Sequence, residues 1–153
     1  MHIEWTQGPL LISTESARLQ VDAVHQYLSR AYWSEGVSRE IVERALRNSL
    51  CFGLYDNGKQ MGLARVVTDF ATFAYLCDVY VLETHRGRGL GKWLIACVMA
   101  HPQLQGLRRF SLVTRDAHLL YAPFGFKALI APERHMEAIQ SDPYKKTGES
   151  PAA

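Results

Sequence analysis

A mixed α/β domain, in which an antiparallel meander leads into one parallel strand pair, is predicted from three features of the sequence. Residues 50–55 and 60–68 are apolar runs joined by Asp56-Asn57-Gly58-Lys59, and Asn-Gly suits a tight hairpin because both residues tolerate positive φ. Residues 73–82 supply a third run close enough to continue the meander. A glycine-rich turn and a strongly apolar segment, residues 93–100, then precede a further strand at 109–114. A strand–helix–strand crossover of that kind implies a parallel pair between residues 73–82 and 109–114.

The remaining elements follow in order. Leu10-Leu11-Ile12-Ser13 reads as a first strand. Over residues 17–30, Leu19, Ala23, Val24, Tyr27 and Leu28 recur at helical intervals and predict an amphipathic helix, which ends where Tyr32 and Trp33 meet Gly36. A second helix is expected after Ser38, an N-cap residue, with Glu40 in the first turn and Ile41, Val42, Ala45 and Leu46 on its apolar face. Gly106 breaks the chain before residues 109–114. A short helix at 116–121 and two final strands at 127–130 and 135–139 are expected to complete a single domain over residues 1–140. From Ser141 the composition turns to Pro, Lys, Gly, Ser and Ala, and residues 141–153 read as a disordered tail.

At 153 residues, 48% hydrophobic and 21% charged, the chain has the size and make-up of one globular domain. Seventeen basic and fifteen acidic side chains leave a formal net charge of +2, too balanced to argue for a nucleic-acid partner. No apolar run approaches the ~20 residues of a membrane span, and neither a membrane partner nor a signal peptide is expected. Cys51, Cys77 and Cys97 are odd in number and set among apolar residues, which reads as buried thiols of a cytoplasmic protein. The six histidines lack metal-ligand spacing, and no metal is expected.

The glycine-rich turn is His85-Arg86-Gly87-Arg88-Gly89-Leu90-Gly91-Lys92, placed between a strand and a helix. Glycines let a ligand reach the backbone, and successive N–H groups leading into a helix N-terminus form an anion site suited to phosphates. Arg86, Arg88 and Lys92 add full charges, so a phosphorylated cofactor is expected. A nucleotide-triphosphate loop is excluded because Trp93 stands where a magnesium-binding hydroxyl is needed. A dinucleotide fingerprint is excluded because Gly87, Gly89 and Gly91 have the wrong last interval and no acid occurs between Lys92 and Arg115.

Arg86-Gly87-Arg88-Gly89-Leu90-Gly91 resembles the R/Q-x-x-G-x-G/A pyrophosphate loop of the GNAT superfamily of acyl-CoA-dependent N-acetyltransferases. Asp78-Val79-Tyr80-Val81 looks like that family's splayed central strand, and Leu120-Tyr121-Ala122-Pro123-Phe124-Gly125-Phe126 is similar to its closing L-Y-x-x-x-G-F segment. The resemblance implies a twisted central sheet with helices on both faces. It implies transfer of acetyl from acetyl-CoA to a primary amine of a small molecule or peptide by direct attack; a weakly active coenzyme A-binding module is the alternative. Val79, Tyr80 and Val81 would present backbone groups to the pantetheine arm, and residues 86–92 would hold the pyrophosphate.

Tyr121 falls where the family places a general acid for the departing thiolate. Asp78 falls beside the position relatives often fill with glutamate, here Cys77; it could pass the ammonium proton through water, anchor the ammonium, or satisfy backbone groups. Arg115 stands where relatives often carry an asparagine that contacts coenzyme A, and it could reach a phosphate. Tyr32, Trp33 and Glu35, with Arg65 and Asp69 as further candidates, would line a pocket for a cationic acceptor through charge and cation–π contact. A second copy of the chain is a further candidate partner.

Overall fold

The computed structural model describes residues 1–144. Its single six-stranded sheet runs in chain order, β1 (Glu4–Gln7), β2 (Leu10–Ser13), β3 (Leu50–Asp56), β4 (Lys59–Thr68), β5 (Phe73–Val81) and β6 (Arg109–Leu112). The first five strands are antiparallel neighbours, and β5 and β6 are parallel, as the crossover predicts. The hairpin between β3 and β4 turns at Asn57 and Gly58 with φ of 48° and 82°, the conformation that pair tolerates.

Four helices, α1 (Val21–Leu28), α2 (Arg39–Arg47), α3 (Leu90–Ala100) and α4 (His118–Tyr121), cover the two faces. The alternation of side chains across a strand decides which face each residue serves. On β4 and β5, Ala64, Val66, Ala74 and Leu76 join Phe52 and Leu54 in a core under α3, where Leu94, Ile95 and Val98 are fully buried. Leu63 and Tyr80 point the other way, into a second core with Val24, Leu28, Val42 and Leu46 of α1 and α2. Each such side chain taken from water contributes about 1.5–3 kcal/mol, so these two cores hold the helices on the sheet. Ser38 caps α2 by accepting from the Ile41 N–H at 3.3 Å.

Three expectations need correction. The single helix over 17–30 is instead a 3-10 turn, Ser16–Arg18, followed by α1. Glu4–Gln7, too polar to read as a strand, pairs with β2 in register as β1. The final strands at 127–130 and 135–139 do not form: Pro132, which lacks an N–H, opens a 3-10 turn over Pro132–Arg134, and no described strand pairs with either stretch. Ile130, Met136 and Ile139 are left exposed there. Of the expected tail, residues 141–144 are described, and Tyr144 packs against the core beneath α1 and α2; residues 145–153 lie outside the described residues.

Candidate active site

The site is built around an interruption in the sheet. Parallel pairing of β5 with β6 covers Phe73 to Leu76 and stops at Leu76–Leu112, while β5 itself runs on to Val81. Beyond Leu76 the β6 side of β5 therefore has no described strand beside it. The Leu82 N–H bonds to the Met61 carbonyl at 2.8 Å, so by the alternation of an antiparallel ladder the polar groups of Val79 and Val81 face that gap. The Val81 carbonyl already accepts the Arg86 Nε–H at 3.0 Å. Tyr80 is turned elsewhere. Its ring stacks on Tyr27 at 3.9 Å, and its carbonyl faces β4, where a Cβ on Gly62 would lie only 2.7 Å from the oxygen.

A bulge in β5 sets the chemistry of the opposite face. Leu63 pairs with Tyr80 and Arg65 with Cys77, so Ala64 alone faces both Asp78 and Val79. Asp78 takes φ of 50°, the left-handed region that Asp tolerates better than most residues. The extra residue breaks the alternation and leaves Cys77 and Asp78 on one face with Arg65 and Tyr75, below α1 and α2. Asp78 accepts from both sides, from Trp33 Nε1 at 2.8 Å and from Arg65 Nε at 2.7 Å, and Arg65 Nη1 reaches Ser49 Oγ at 3.0 Å. Burial alone would weaken the Arg65 charge, but the Asp78 carboxylate outweighs it and raises the guanidinium pKa. Asp78 is thus a held carboxylate that fixes Trp33, with neither oxygen free of a donor.

These groups border a cleft of about 270 Å³ walled by Val37, Ile41, Val42 and Ala45 and floored by Arg65, Tyr75, Cys77 and Asp78. Trp33 lines it, while Tyr32 stands outside the lining with its ring edge-on to Trp33 at 5.1 Å. Arg115, expected at a phosphate, lies 3.8 Å over the Tyr32 ring instead. Glu35 is exposed and does not line the cleft. Asp69 is committed to its own turn, accepting the Thr72 hydroxyl and the N–H groups of Thr72, Ala71 and Phe73, which hold its carboxyl far below the usual range.

Tyr121 ends α4 and is buried in the core under α3, 6.0 Å from Phe126 between ring centres. Its hydroxyl has no hydrogen bond to another described residue. Burial, and to a smaller degree Tyr32, push its pKa up to about 12, so the phenol stays protonated at neutral pH. Burial likewise raises the Cys77 thiol to about 11 and Cys51 to about 12, which removes either as a thiolate nucleophile.

The glycine loop joins β5 to α3 below the gap. Gly87 and Gly89 have φ of 78° and 74°, and a Cβ at either would meet nothing within 4 Å, so the loop backbone borders open space. Gly89 is the N-cap of α3, whose first N–H groups have no intrahelical acceptor. No acid occurs in that first turn; Arg88 and Lys92 are exposed beside it and make no ion pair with a described residue. Arg86 is used differently, bridging the Val81 carbonyl and the Tyr27 hydroxyl, the latter at 2.9 Å. His85 ties the loop to the β3–β4 hairpin through Asp56 at 2.9 Å.

Sequence reading missed Ser49, Tyr27 and Tyr144, because each meets its partner only through the tertiary fold. The spacing of Cys77 and Asp78 carried no sign of the bulge, although an Asp within an apolar strand was a hint.

Comparison with known proteins bears on the whole assembly. The description Acetyltransferase (GNAT) family matches residues 21–126. A candidate acetyltransferase of Gibberella zeae, FG08082, is 38% identical over 147 residues, 80% of this chain and 82% of that protein. The crystal structure of a candidate GNAT acetyltransferase from Xanthomonas campestris pv. campestris, 47% identical, superposes with a TM-score of 0.87 over 90% of this chain and 97% of that one. A more distant structure from Clostridium acetobutylicum, a predicted acetyltransferase with acetyl-CoA, shares the fold at 14% identity, with a TM-score of 0.61 over 91% and 96% of the two chains. This chain belongs to the GNAT family of acetyltransferases.

Proposed function

We propose that the protein transfers acetyl from acetyl-CoA to the amino group of a small molecule or peptide, working in a reducing cytoplasm that suits its three free thiols. The observation that carries this reading is the gap beside β5, which opens immediately above a glycine loop and helix N-terminus lacking acidic residues. Acetyl-CoA accompanies the Clostridium relative, and the residues here fit it. Gly87, Gly89 and the first turn of α3 would hold the pyrophosphate, with Arg88 and Lys92 supplying charge. Val79 and Val81 would hold the pantetheine arm as a strand is held. The thioester supplies an acyl carbon activated towards amines.

The chain's own residues position and protonate. Trp33, fixed by Asp78, and Tyr32 border the acceptor side, so the amine approaches through the cleft below α1 and α2. As the C–N bond forms and the C–S bond breaks, the Tyr121 hydroxyl gives its proton to the departing sulfur. The proton shed by the amine returns to the phenolate through water. Positioning is the larger contribution, because effective molarities of well-held reactants far exceed the gain from one proton donor.

An amine panel incubated with acetyl-CoA and read by free-thiol release tests the reading. Amine-dependent thiol release is expected; acetyl-CoA binding with no turnover of any amine would mark a binding module.

A further inference from the structure

The cleft below α1 and α2 carries more information than its place beside the gap. Both Asp78 oxygens are occupied, one by Trp33 and one by Arg65. Arg65 presents five N–H donors and is only 18% exposed, yet hydrogen bonds form from Nε and Nη1 alone among the described residues. Nη2 is therefore a charged donor without a partner among the described residues, on the floor of the cleft. The Tyr75 hydroxyl beside it also lacks a partner among the described residues, and burial raises its pKa, which keeps it a donor. Among the described residues no unpaired carboxylate lines the cleft, since Glu35 lies outside it.

The rest of the wall is aliphatic, from Val37, Ile41, Val42 and Ala45. The volume of about 270 Å³ is near the lower end of small-molecule sites, too little for a stretch of peptide. Tyr144 closes one end: it lines the cleft, and its carbonyl oxygen lies 3.3 Å from where a Cβ on Gly36 would sit. Tyr144 is thereby seated on the α1–α2 loop.

We infer that the acceptor is an α-amino acid with an apolar side chain, its carboxylate on Arg65 Nη2 and its side chain against the aliphatic wall that Tyr144 completes. This rests on the acetyltransferase reading above and sharpens it. The α-amino nitrogen gains the acetyl group and loses one proton, and coenzyme A leaves as the free thiol. A guanidinium with an unspent donor is matched by a carboxylate, which takes a charge-assisted hydrogen bond from it. An apolar amine lacking the carboxylate would forgo that charge-assisted hydrogen bond.

The test compares L-leucine with 3-methylbutylamine, which differs from it only by the missing carboxylate, as acceptors with saturating acetyl-CoA. The parent protein is expected to favour L-leucine in kcat/KM by about tenfold or more. Arg65→Gln is expected to erase that preference, and Arg65→Lys, which keeps the charge beside Asp78, to reduce it. Tyr144→Ala is expected to raise KM for L-leucine with acetyl-CoA affinity unchanged. Equal or better turnover of 3-methylbutylamine overturns the inference, as does turnover of spermidine or a peptide with none of L-leucine, while both results leave the acetyltransferase reading standing. Thiol release with no amine at all would overturn that reading as well.

Discussion

The two halves of the proposed site are made in different ways. The cofactor half is local and made of backbone: β5, the Gly87–Gly91 loop and the first turn of α3 are consecutive in sequence, and their chemistry lies in N–H groups and two positive-φ glycines. The acceptor half is assembled from Trp33, Ser49, Arg65, Asp78 and Tyr144, which come from five separate stretches of chain and act through side chains. A backbone site constrains residue types at fixed spacing and tolerates little variation. A side-chain site can be rebuilt on the same frame for another acceptor, which is how one fold serves many substrates.

Damage to each half should therefore read out separately. The largest effect is expected from Gly89→Glu, which forces a side chain into a left-handed N-cap and places a negative charge in the phosphate cradle. Acetyl-CoA at 100 times its dissociation constant should stabilise the parent by about 2.7 kcal/mol in thermal unfolding, and the variant, still folded, should show no such gain. An undiminished gain would detach the loop from cofactor binding.

Next comes Tyr121→Phe. General acid catalysis contributes about 10²–10⁴-fold, and a thiolate needs less help than most leaving groups, so kcat should fall by about 10² with acetyl-CoA affinity preserved. A parental rate where chemistry limits would make Tyr121 a packing residue.

The smallest effect concerns Glu83, at the turn leading into the glycine loop. Its hydrogen bonds from Arg30 bring its pKa down to about 2 from the usual 4.5. A carboxyl lowered on folding adds stability that is fully present above the unfolded value and lost as pH falls through the folded one. Glu83→Gln should therefore flatten the pH dependence of stability between about 4.5 and 2 while leaving the acceptor cleft and its kinetics untouched. An unchanged acid limb would show that the exposed Arg30 pair contributes nothing measurable.

The same division explains what was legible in the sequence. The Asn57-Gly58 hairpin, the β5–α3–β6 crossover and the glycine loop could be read because turn chemistry and periodicity are local properties. The network joining Trp33 to Asp78 and Arg65 could not, because it depends on a one-residue bulge at which an Asp within the apolar run Leu76-Cys77-Asp78-Val79 only hints. Glu35 was a reasonable partner for a cation by residue type, yet the turn at Gly36, with φ of 82°, leaves it outside the cleft. Residues 127–139 have strand-like composition, but a strand needs a partner, and the chain after Gly125 is not brought alongside β6.

The central claim is that acetyl-CoA lies against the unpaired side of β5, above the glycine loop. Amide hydrogen exchange, measured residue by residue with and without saturating acetyl-CoA, tests this most directly. Slowed exchange is predicted at Val79, Val81 and the amides of residues 87–92, with the amides of α2 unaffected. Stabilisation of the protein by acetyl-CoA with exchange at Val79 and Val81 unchanged, and new protection elsewhere, would contradict it.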